Sequence, residues 1–96
     1  MEVSEQYDFG LGAQAFYYGL SAEKQRLVER CLQNAVPLIE SANHSQVYPI
    51  RVAGEKVFVL RADEFMRLIV RKAGDTVKLL DIIDKRQAES YLWQAA

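Results

Sequence analysis

The 96-residue chain predicts an α+β fold, with an N-terminal α-hairpin packed on one face of a three- to four-stranded antiparallel sheet and a short C-terminal tail. Three observations lead there. Between Lys56 and Arg86, three runs rich in branched and aromatic residues are separated by the short polar breaks Ala62-Asp63-Glu64 and Ala73-Gly74-Asp75, the pattern of an antiparallel meander. Upstream, Leu27, Val28, Cys31, Leu32, Ala35 and Val36 recur at three- and four-residue steps, which makes one apolar stripe on a helix. The helical pieces precede the strands, so the two classes segregate into layers.

Taken in order, residues 1–10 are open between a short edge strand built on Val3, Tyr7 and Phe9 and the approach to a helix, with Gly10 and Gly12 as a flexible break. Asp8-Phe9-Gly10 matches the magnesium-binding tripeptide of protein kinases, but the chain is far too short for a kinase. Gly10-Leu11-Gly12 lacks the third glycine of a dinucleotide loop. Residues 13–18 read as a helix ending at Gly19. Ser21 is suited to cap the next helix, with Glu23 in its first turn, where the helix dipole favours an anion. Pro37 should end or kink that helix near Asn34, with Leu38 and Ile39 continuing the stripe for another turn. The Gly19-Leu20-Ser21 turn makes the two helices a hairpin in which Phe16, Tyr17 and Leu20 face the stripe.

Residues 41–46 form a polar loop. Asn43-His44-Ser45 is a glycosylation pattern by chance, and His44 is read as solvated rather than as a proton carrier. Val47 to Val52 is a strand that Pro49 confines to an edge or a strand start. Lys85-Arg86 ends the last strand, and Tyr91, Leu92 and Trp93 in the helix-prone tail can dock on the sheet. Alternation puts Met66, Leu68 and Val70 against the helices, and Phe65, Arg67, Ile69 and Arg71 on the open side.

Length and composition indicate one domain spanning residues 1–96. Half the residues are apolar, but no run approaches the ~20 residues of a membrane span. The N-terminus carries no basic residue, so a cytoplasmic location is expected rather than a secretory one. With one cysteine, Cys31, and one histidine, neither an internal disulfide nor a Cys/His zinc site can form, and no metal or other cofactor is expected. The net charge is −1, unevenly divided: three bases against six acids in residues 1–50, nine against seven in 51–96.

The arginines are the functional clue. Arg61, Arg67 and Arg71 sit within or at the ends of apolar strands, where a core strand would not put them, since a buried charge is costly unless paired. They are expected to line an exposed face or groove. The plain structural alternative is that Arg61 and Arg67 pair with Asp63, Glu64 or Asp81, that Lys85-Arg86 is solvated, and that Tyr91 anchors the tail.

Leu60-Arg61, Arg67-Leu68-Ile69-Val70, Leu80-Asp81-Ile82-Ile83, Lys85-Arg86 and Tyr91, following two small helices, resemble the ordered pattern of the RelE/ParE superfamily of bacterial toxins over roughly residues 47–91. The resemblance implies the toxin of a type II toxin–antitoxin pair, a translation inhibitor that cuts messenger RNA on the ribosome without a metal. The 2′-hydroxyl would attack the adjacent phosphate to leave a cyclic phosphate. Arg67 would hold the scissile phosphate, Arg61 and Arg86 would assist, with Arg86 protonating the leaving oxygen, and Tyr91 would stack on a base or orient the nucleophile. Lys56, Arg71 and Lys85 would bind RNA. Arginine suits such work because its planar fork stays charged and bonds two phosphate oxygens. A general base has no assignment. The implied partner is a cognate antitoxin protein. The alternatives are a non-enzymatic relative that binds DNA gyrase and a non-toxic interaction module of the same fold.

Overall fold

Serine at position 21 starts the best-defined helix by accepting a hydrogen bond at Oγ from the Lys24 amide, 3.2 Å away, as its spacing predicts. The computed structural model describes residues 8–9, 11–41 and 47–95, with side chains described for 13–41 and 47–90. Within it the order is β1 (Asp8–Phe9), α1 (Leu11–Tyr18), α2 (Ala22–Gln33), α3 (Ala35–Ser41), β2 (Val47–Val52), β3 (Glu55–Arg61), β4 (Met66–Ala73), β5 (Thr76–Asp84) and α4 (Lys85–Ala95). The readings of Val3, Tyr7, Gly10, Asn43 and His44 lie outside the described residues. None of the described helices is long and apolar enough to cross a membrane.

The fold is α+β: helices, then four antiparallel strands. The sheet order is β1-β5-β4-β3-β2, so the two-residue β1 adds a fifth, parallel strand beside β5. β2 is the opposite edge, which is where Pro49 can sit without depriving a neighbour of a ladder donor. Ala53 and Gly54, both at positive φ (54° and 78°), make the tight turn from β2 to β3, and Gly74 (φ 64°) serves the turn from β4 to β5. Between Ile69 and Val70 the register with β5 shifts: Ile69 opposes Asp81 while Val70 opposes Leu79, leaving Leu80 as the extra residue of a bulge.

The helices differ from expectation in two places, at Gly12 and at Phe16. Gly12 lies inside α1 rather than forming a break. As expected, α2 ends at Asn34, and a separate α3 follows in which Pro37 occupies the first turn, where a missing N–H is tolerated. Tyr17 is buried, but Phe16 is 52% exposed, because one face of a two-turn helix cannot bury both neighbours.

The larger core lies between helices and sheet, with Val28, Leu32 and Ala35 against Val47, Leu60, Leu68, Val70, Leu79 and Ile82. Each fully buried leucine or valine there stabilises the fold by about 1.5–3 kcal/mol. The expected set Met66, Leu68 and Val70 does meet the helices. The other face is not open. Ile50, Val57, Val59, Ile69 and Ile83 form a second core with Ala88 of α4. The tail is therefore a helix laid over the sheet.

That helix starts with a reciprocal cap. The Asp84 carboxylate accepts from the Gln87 amide at 2.7 Å, and the Gln87 side chain accepts from the Asp84 amide at 3.0 Å. Lys85-Arg86 is therefore the first turn of α4 and not a strand end.

Candidate functional site

Cross-strand pairing brings the arginines to one end of the sheet. Arg61, the last residue of β3, lies directly opposite Arg67 of β4, and Arg67 lies opposite Ile83 of β5. Residues so paired share a face. Beyond Ile83, β5 ends at Asp84, which opposes Met66, and α4 begins. The Lys85 amide donates to the Phe65 carbonyl at 2.7 Å, which ties the first turn of α4 to the β3–β4 turn. Arg61 and Arg67 thus lie on the two strands that flank that turn, and Lys85 and Arg86 open the helix tied to it.

The site predicted from the sequence divides at this point. Arg61, Lys85 and Arg86 are exposed, and among the described residues none has a carboxylate within ion-pair distance. Arg67 is 8% exposed and does not line an open groove. Its Nη1 donates to the carbonyls of Asp63 (2.6 Å) and Met66 (3.1 Å), so the guanidinium braces the turn from beneath. Arg71 lies four residues along β4 and is bridged to Glu55 at 2.9 Å, a half-exposed pair that contributes about 0–1 kcal/mol. Lys56 leaves the opposite face, with Nζ 5.5 Å from the centre of the Phe58 ring beside Lys72. The reason is parity: Lys56 and Arg61 are an odd number of residues apart on one strand. Tyr91 belongs to α4, and its side chain lies outside the described residues, as do those of Leu92 and Trp93.

Asp63 organises the turn. Its Oδ1 accepts from the amides of Phe65 (2.8 Å) and Met66 (2.6 Å), and its Oδ2 accepts from Lys24 Nζ at 2.6 Å. Burial alone would raise the pKa of this carboxyl. The bonds from Lys24, Met66 and Phe65 outweigh that and hold it below the usual carboxylate value. The bond to Asp63 likewise raises the pKa of Lys24. The carboxylate expected to serve an arginine is thus taken by a lysine of α2.

Two groups beside Arg67 escape a sequence reading. Burial raises the pKa of the Tyr48 phenol, while the Arg67 charge lowers it and the Glu89 charge raises it. Tyr48 of β2, Arg67 of β4 and Glu89 of α4 therefore share one electrostatic neighbourhood, and the phenol stays protonated at neutral pH. Nothing in the spacing of 48, 67 and 89 announces this. Cys31 is no rival nucleophile: burial pushes its thiol up to about 11.

Arg61 borders a cleft of about 200 Å³ with Leu27, Arg30, Cys31, Asn34 and Leu38, and three further clefts lie by the other groups. One of about 230 Å³ is lined mainly by apolar side chains, including Phe16, Leu20, Phe65 and Met66. One of about 350 Å³ is lined by Phe65, Asp84, Lys85, Arg86 and Glu89. A third, about 370 Å³, holds Lys56, Phe58 and Lys72 away from the arginines. Among the described residues no cluster of three His, Cys, Asp or Glu side chains could hold a metal ion. No family model, curated protein or solved structure matches the chain.

Proposed function

We propose that the chain is a toxin of the RelE/ParE type that cuts messenger RNA on the ribosome and is silenced by a cognate antitoxin protein. One observation carries the reading. Arg61 faces Arg67 across a strand pair with no carboxylate between them, and Lys85 and Arg86 open α4, which has no acidic residue in its first turn. Like charges directly opposite one another destabilise a sheet, and cations are disfavoured at a helix N-terminus. A chain that keeps both beside one turn, with no ion pair to either among the described residues, carries positive charge that a phosphodiester can meet.

On this reading the 2′-oxygen bonds to phosphorus as the bond from phosphorus to the 5′-oxygen breaks, leaving a cyclic phosphate. Arg61 and Arg86 stabilise the charge that develops on the phosphorane and leaving oxygens. Arg67 is a positioning residue, because the turn carbonyls already hold its Nη1. Glu89, beside Arg86 in the same cleft, is the carboxylate available to take the proton of the 2′-hydroxyl. The leaving oxygen takes its proton from water. Tyr91 retains the role that the resemblance implies.

The test is purified protein added to translating ribosomes in EDTA. Message cut with 2′,3′-cyclic ends supports the reading. Intact message from a protein that still arrests growth overturns it.

The burial of Arg67 favours a second reading, a relative that acts on DNA gyrase by binding alone. Intact message together with trapped, cleaved DNA would identify it. Normal growth on induction of the isolated gene would leave a plain interaction module.

A further inference from the structure

Phe65 is an aromatic side chain that the proposed chemistry does not use. It is 67% exposed, the most exposed large apolar side chain among the described residues. Such a ring on a turn is ordinarily carried by a loose backbone. Here the backbone is bonded on both sides of the residue: the Phe65 amide donates to Asp63 Oδ1 at 2.8 Å, and the Phe65 carbonyl accepts from the Lys85 amide at 2.7 Å. Asp63 is itself held by Lys24. The ring is therefore presented to solvent from a fixed support, and little order has to be gained when something lands on it.

Its surroundings say what that something is. Phe65 lines two neighbouring clefts. On one side are apolar groups, with Phe16, itself 52% exposed, across the cleft. On the other side are Lys85 and Arg86, unpaired with any carboxylate among the described residues. Two acids also lie there. The Asp84 carboxylate is occupied by the Gln87 amide, and Glu89 is one turn along α4. An exposed aromatic face between an apolar hollow and two cations has the composition of a single-strand platform, on which a base stacks while the phosphates beside it meet the cations.

We propose that Phe65 is a stacking platform for a base of single-stranded RNA whose adjoining phosphates are held by Lys85 and Arg86. The proposal rests on the RNA-directed reading above and adds to it a residue that gives affinity without sequence preference. A base already paired in a duplex cannot reach the ring, so duplex RNA binds more weakly.

The experiment is fluorescence anisotropy of a labelled twelve-nucleotide unstructured RNA at 50 mM salt, with the full chain and folding checked by circular dichroism. Phe65→Ala should weaken binding about 5- to 150-fold, the range for loss of one stacked base. Phe65→Trp should bind like the wild type. Lys85→Ala and Arg86→Ala should each lower the salt dependence, which Phe65→Ala leaves unchanged. Wild-type affinity in Phe65→Ala, equal affinity for duplex RNA, or no binding by the wild type would each overturn the platform. A surface that serves a protein partner instead would give one of these results. None of them decides the cleavage reading, which the ribosome assay judges separately.

Discussion

Arg67 Nη1 donates to the main-chain oxygen of Asp63 at 2.6 Å, so the strand leaving the turn holds the turn that precedes it. The same aspartate is held from the other face of the sheet by Lys24, 2.6 Å away. Helix α2, the β3–β4 turn and the buried arginine therefore form one support beneath the exposed cations, and substitutions should separate support from chemistry.

Arg67→Ala should destabilise the fold by about 1.5–3 kcal/mol, the usual range for losing hydrogen bonds from a charged group with partners left behind. Arg61→Ala removes an exposed side chain and should change stability by no more than about 0.5 kcal/mol. Urea denaturation of both variants checks this, alongside growth arrest on induction. Arg61→Ala should abolish arrest while leaving stability intact. If the variant still arrests growth, Arg61 has no part in catalysis.

Arg86→Glu should pull stability and activity in opposite directions. An acid in the first turn of α4 suits the helix dipole and should stabilise by about 0.3–1 kcal/mol. It also removes a cation from the proposed phosphate site, so message cleavage should disappear. Thermal unfolding and the ribosome assay on one preparation measure both effects. A less stable variant would mean that Arg86 contributes to the fold.

The Lys24–Asp63 link predicts an acid-sensitive component of stability. The folded pKa of Asp63 is depressed, so its contribution is complete above about pH 4, the unfolded carboxylate value, and is lost as the pH falls through the lower folded value. Asp63→Asn should be less stable at neutral pH and should lack that component of the acid limb. Urea midpoints from pH 2 to 7 for the two proteins test this, and parallel curves would refute it.

Ala53 holds φ 54° ahead of Gly54 at 78°, a turn that Asn-Gly adopts with less strain than Ala-Gly. Ala53→Asn should stabilise by about 0.5–1 kcal/mol, which for a domain of this size is several degrees in Tm. A calorimetric scan showing no rise would mean that the flanking strands, not the turn, set the cost.

Much of the architecture was readable from local signals. Ser21 announces a cap because its hydroxyl needs only the backbone three residues on. Met66, Leu68 and Val70 announce a buried face because strand alternation is a local property. Pro49 announces an edge because it lacks a donor. The misreadings share a different origin. Phe16 read as facing the helical stripe, yet its exposure depends on which neighbours are absent. Arg67 read as a surface group because its acceptors are main-chain carbonyls, which every residue carries and no spacing advertises.

By itself the sequence determined the succession of helices and then antiparallel strands from residue 13 to residue 84, the turns and the inward parity of the strands, since each follows from interactions a few residues long. Only the tertiary structure decided that Lys56 leaves the far face, that α4 covers the second face, and that the helix opened by Lys85 and Arg86 is tied to a turn braced by Arg67. Those outcomes depend on strand register and on one helix docking across the sheet, and both are fixed by contacts between residues far apart in the chain.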